Sequence, residues 1–210
     1  MIETIGKAIA LGLFLSIAVG PVLFSIIKQS INNGIAGGLA FVIGVSLSDI
    51  SLVIASNFFT EIFAGLNARR EEIGIIGSTF LISVGIYYLF FKKVKVNEKG
   101  IQQLIRFRKR DYLKIFLAGY LMNTLNPAII IFWLTTSTAF IDHNFNQKLV
   151  IFSIALAFVL AADIAKVVLA GKLRSKLTVK TISLLNRING MILIGFGIAL
   201  IAGLLFYRPA

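Results

Sequence analysis

SDISLVIAS, residues 48–56, returns later in the chain as ADIAKVVLA, residues 162–170. Each copy reads small residue, Asp, Ile, small residue, any residue, Val, and then apolar and small residues. Each copy also places its acid, Asp49 or Asp163, inside a long apolar run. A carboxylate at the centre of a membrane helix costs about 2.5–3.5 kcal/mol on insertion scales, so it faces a cavity or a partner. A repeat that carries such a group twice points to a chain built from two related halves.

Composition sets the solvent in which those halves fold. Of 210 residues, 58% are hydrophobic and 14% charged, against about 45–50% and about 25% in soluble domains. Apolar runs near 20 residues fall at 8–27, 38–59, 73–91, 115–140, 148–170 and 187–206; each is long enough to cross the hydrocarbon core. The expected fold is therefore an all-α integral membrane protein of six transmembrane helices. The first run is too long for a signal-peptide core and is followed by no A-x-A-like site before Lys28.

Other landmarks match across the halves. Gly20-Pro21 interrupts the first run and Asn126-Pro127 the fourth, while Gly77 and Gly85 in the third answer Gly190 and Gly197 in the sixth. Three spans per half is an odd number, so the second half enters the membrane from the opposite face. Two inverted-topology repeats are expected, at 1–95 and 115–210, with broken helices in spans one and four and a basic cytoplasmic linker at 96–114.

The formal charge of +12 is a topology signal rather than a mark of nucleic-acid binding. With the N-terminus outside, fifteen of the 21 Lys and Arg residues, including Lys28, Lys92, Lys172 and Arg187, fall on the cytoplasmic side. Five fall outside, and Lys166 lies within a span. The positive-inside rule then places both termini outside. QQLIRFRKRDYLK, residues 102–114, reads as a cytoplasmic topology determinant touching anionic lipid, or else as a surface helix or partner site.

A proline removes a backbone donor and crowds the preceding turn, so its freed carbonyls need partners in protein or in a water-lined cavity. Either break alone reads as an ordinary kink. Two breaks at matching positions favour a midplane site at Gly20, Pro21, Asn126 and Pro127, where helix ends and free carbonyls meet a charged solute. Ser16, Ser25, Asn123 and Thr124 add hydrogen-bonding groups nearby. Asp49 and Asp163 are the candidate proton-coupling or amine-binding carboxylates, Asp49 the stronger of the two. Asp163 and Lys166 stand three residues apart on one helix face, as a structural pair or as a gate that opens when Asp163 is released; the alternative for Lys166 is to snorkel to the interface.

Several residues read as packing or anchoring. Gly34, Gly38 and Gly44 permit close helix approach, Tyr87, Tyr88, Phe90 and Phe91 form an interfacial anchor, and Trp133 with the polar run TTST, 135–138, marks a span end or else lines a passage. Absence of cysteine excludes disulfides, thiol redox relays and thiolate metal sites. With one histidine, His143, there is no His cluster, no catalytic constellation and no P-loop, so an enzyme and a nucleotide-driven pump are not expected. No cofactor and no bound metal are expected.

The stretches AVGPVLFSIIKQSINNGIAGGLAFVIGVSLSD, 18–49, and FLAGYLMNTLNPAIIIFW, 116–133, resemble the LysE/RhtB-type amino-acid exporters. Those proteins have a PGP-like break in the first span, a glycine-rich entry to the second and an L-x-N-P-K stretch later. Gly20, Pro21, Asn126, Pro127 and Asp49 match by position; Val19 stands at the family's first proline and Ala128 at its lysine. The resemblance implies a proton-driven secondary carrier in a bacterial inner membrane, exporting amino acids or similar small metabolites by alternating access. Its partners would be that solute and the lipid bilayer, with a homodimer left open. A divalent-cation exporter of the same superfamily is the alternative, since two repeat-related Asp residues with Ser and Asn oxygens suit a hard cation.

Overall fold

A computed structural model describes residues 2–18, 20–58, 70–91, 109–174 and 178–206. Among the described residues every regular element is a helix, with no strand: α1 (Ile2–Ile17), α2 (Pro21–Phe58), α3 (Arg70–Ile86, continued by a π-helical turn over Tyr87–Phe91), α4 (Lys109–Thr124), α5 (Pro127–Ala139), α6 (Phe145–Arg174) and α7 (Val179–Phe206). Four helices, α2, α3, α6 and α7, are long and apolar enough to cross a membrane, and a fifth span is added if α4 and α5, bent by 61°, count as one. Val19 and most of the basic 96–114 linker lie outside the described residues.

Proline chemistry sets both breaks. Pro21 opens α2 and Pro127 opens α5; proline is favoured in a first turn, where its missing N–H would be unpaired in any case. Asn126 completes the second break as an N-cap, its Oδ1 accepting from the Ala128 N–H at 3.1 Å. That bond satisfies one of the orphan donors that every helix start exposes.

The reversal expected between spans one and two, at 28–37, is compressed to one residue. Helix runs through that stretch, and a single residue, Gly34, departs from helical geometry at φ 73°, ψ 179°, the one positive φ among the described residues. That backbone region is open essentially only to glycine. A Cβ on Gly38 would collide with the Ser30 hydroxyl, yet residues eight apart in a straight helix lie about 12 Å from each other. The chain therefore doubles back at Gly34, and the two arms of α2, 21–33 and 35–58, lie side by side. Arm 21–33 equals α5 in length, so the two breaks are followed by matching half-helices.

Lys28 accordingly sits on a helix and not in a cytoplasmic loop. It is buried, with its ammonium 2.7 Å from the centroid of the Tyr88 ring. Tyr88 is thus a cation-π partner rather than a plain interfacial anchor.

The principal packing pairs are α1 with α6, α2 with α4, α2 with α6, and α3 with α7. Small residues set the separations. Gly44 of α2 lies against the Phe116 carbonyl, Gly119 of α4 against the Phe41 carbonyl, and Gly85 of α3 against the Gly190 carbonyl of α7. Without a hydrophobic difference between lipid and side chain, such close backbone approach is a main source of helix association. The central cluster gathers Ile26, Phe41, Val42, Val45, Leu81, Met122, Val167 and Leu193 from five helices. Many large apolar residues, among them Ile17, Phe90 and Leu169, point outward, as a lipid-facing surface requires.

Candidate functional site

A cavity of about 400 Å³ lies where the two breaks meet, lined from α1, α2, α4, α5, α6 and α7. It brings together Gly20, Pro21, Asp49, Asn123, Asn126, Asp163 and Lys166. Pro127 occupies the first position of α5, between the lining residues Asn126 and Ala128. Its size falls in the range of small-molecule sites.

Asp49 is buried, and its Oδ1 accepts two hydrogen bonds, from Asn123 Nδ2 at 2.8 Å and from the indole Nε1 of Trp133 at 2.9 Å. The donors come from either side of the second break, Asn123 at the end of α4 and Trp133 within α5. Asn123 also donates to the Ser48 hydroxyl at 3.1 Å, and Ser48 bonds the Thr124 hydroxyl at 2.7 Å. A buried carboxylate persists only with such partners. These ties fasten the acid of α2 to the helices on both sides of the second break.

Across the cavity, Asp163 Oδ1 accepts from Lys166 Nζ at 2.7 Å. Asp163 is buried and Lys166 partly so, and both line the cavity. The spacing of three along α6 therefore does form the ion pair, and the lysine is drawn to its acid rather than away along the helix.

Of the two readings of Trp133, the favoured one, a span end, is not what the structure shows. Trp133 is fully buried and completes the site, packed edge-on against Phe132 and tilted against Phe152. The run IIIFWLTTST looks like a greasy helix turning polar at its end, and nothing local says that the indole points at an acid 84 residues earlier. A buried indole N–H does need an acceptor, and with an acid in the membrane that pairing is the one available signal.

Of the remaining nearby polar residues, Ser16 and Thr124 take other partners. Ser16 returns its hydroxyl to the Gly12 carbonyl at 2.6 Å, and Thr124 is engaged by Ser48. Ser25 is buried with no hydrogen-bond partner among the described residues. Among the described residues no group of three or more His, Cys, Asp or Glu side chains is positioned to hold a metal ion. His143 lies in the turn after α5, edge-on to Phe140.

A family model described as "LysE type translocator" matches residues 13–203. In Bacillus subtilis (strain 168), a protein named "Putative amino acid efflux protein YcgF" is 28% identical over 198 residues, covering 90% of this chain and 90% of that protein. From the same organism, "Uncharacterized membrane protein YrhP" is 28% identical over 181 residues, 79% of this chain and 78% of its own length. No solved structure matches the chain.

Proposed function

The chain belongs to the LysE type translocator family, a multi-pass membrane transporter and not an enzyme, and we propose that it is a proton-coupled secondary carrier exporting amino acids or similar small metabolites. The observation that carries this reading is the cavity joining both helix breaks to Asp49. Amino-acid efflux, named for one relative, agrees with it.

In this reading six spans form two inverted three-helix repeats, 1–95 and 115–210, joined by the basic linker 96–114, with both termini outside a bacterial inner membrane. Packing supports the symmetry. The first span's opening helix packs on α6, the fifth span, while the fourth span's opening helix packs on the second span, and the third and sixth spans pack on each other. Exchanging the halves leaves that set of pairs unchanged. Alternating access then consists of one half rocking against the other about the midplane cavity.

Asp49 exchanges a proton or holds the solute's ammonium group as the site changes sides. The divalent-cation reading fits less well. Asp49 receives two N–H donors on one oxygen and Asp163 already holds a lysine, whereas a hard cation takes six or more oxygen ligands.

Proteoliposomes loaded with mixed amino acids and given an imposed proton gradient test the proposal. Wild-type protein should release particular amino acids in a gradient-dependent way, and Asp49→Asn should not. Folded wild-type protein that moves no amino acid would overturn the reading and direct the same assay to divalent cations.

A further inference from the structure

We propose that the solute is a zwitterionic α-amino acid with an apolar, branched or aromatic side chain. The inference rests on the transporter reading above and narrows it to a substrate class.

The cavity wall offers few polar groups to a solute. Its polar side chains are Asp49, Asn123, Asn126, Asp163 and Lys166. Asn123 directs its amide N–H groups to Asp49 and Ser48, and Asn126 turns its side-chain oxygen onto the Ala128 N–H. Asp163 is neutralised by Lys166. Asp49 carries the one wall charge with no opposite charge against it, and a carboxylate has about four lone-pair sites, so room remains for an ammonium. Lys166 brings three N–H donors, of which Asp163 takes one. The wall thus has one acceptor pole and one donor pole, matching the ammonium and the carboxylate of an α-amino acid.

The rest of the wall is hydrocarbon. Phe14 of α1, Leu23 and Ile26 of α2, Phe132 of α5, and Phe196 and Leu200 of α7 face the same space. Phe14 and Phe132 stack with ring centroids 6.1 Å apart, joining α1 to α5 across the two breaks. A third charge on the solute would find its counter-charge only by displacing Lys166 from Asp163 or by competing for Asp49. Burying an unpaired charge is strongly disfavoured. A hydroxyl or amide side chain would exchange water for phenyl and isobutyl groups. An apolar side chain gains instead, at about fourfold per buried methylene.

The test uses full-length protein in proteoliposomes loaded with equal concentrations of leucine, phenylalanine, alanine, threonine, lysine and glutamate. Leucine and phenylalanine should leave at least about tenfold faster than alanine, threonine, lysine or glutamate. Lysine, glutamate or threonine leaving as fast as leucine would overturn the substrate class while the carrier reading stands. No movement of any amino acid would overturn both.

Phe196→Ala should reduce the preference for leucine over alanine by about fourfold or more, with alanine still transported; an unchanged ratio counts against the apolar pocket. A measurement free of variants accompanies these. Leucine should raise the melting temperature of wild-type protein in detergent where lysine at equal concentration does not, and the reverse order would overturn the proposal.

Discussion

Asp49 is held from two elements, and each tie can be cut by itself. Trp133→Phe keeps a large ring in the buried slot and removes only the indole donor. A hydrogen bond to a charged group contributes about 1.5–3 kcal/mol, so this variant should lose about 2 kcal/mol of stability in denaturant unfolding and transport more slowly. Full stability would show that the indole does not hold the acid. The Asp163–Lys166 pair separates structure from gating in the same way. Lys166→Met strands a buried carboxylate and should cost about 3 kcal/mol, and adding Asp163→Asn should recover most of it. If the recovered double variant still transports, the pair is structural and Lys166 is not the donor pole for the solute's carboxylate; if it folds but does not transport, the pair belongs to the mechanism. Spacing along one helix made the Asp163–Lys166 pair legible in the sequence, because neighbours at three are set by helix geometry alone. Trp133 was not legible, because its partner lies across the fold.

At the scale of elements, the two breaks and a reversal between spans one and two were readable, and the confinement of that reversal to Gly34 was not. Pro21 and Pro127 interrupt apolar runs that would otherwise be continuous, and their chemistry acts locally. In the sequence, Gly34 reads as one of several packing glycines. Its positive φ follows from the folding of one arm of α2 against the other, a contact between distant turns. Gly34→Ala places a Cβ where the backbone admits essentially none and should cost about 2 kcal/mol, measured as a lowered unfolding midpoint in detergent; an unchanged midpoint would mean that the arms reverse by another route. Lys28 shows the same limit. A lysine between apolar runs counts as a loop charge until Tyr88, on another helix, supplies the ring that lets it be buried.

At the scale of the whole molecule, the proposed inverted halves make a topological statement. The chain has no cysteine, so single cysteines report accessibility against a silent background. In right-side-out vesicles, Asp142→Cys should react with an impermeant maleimide added outside, and Lys180→Cys should react only after the membrane is opened. Labelling of both from the same side would rule out the six-span inverted arrangement.

The sequence by itself determined that this chain lives in a bilayer, that its elements are helices, where two of them break and which acids are costly enough to need partners. Those properties depend on run length, on proline's missing donor and on the desolvation of a carboxylate, all fixed within a few turns of chain. Tertiary structure alone decided which groups answer those needs: Trp133 and Asn123 for Asp49, Tyr88 for Lys28, and the packed arms of α2 for Gly34. Each of these contacts joins residues that are neighbours only after the helices have packed.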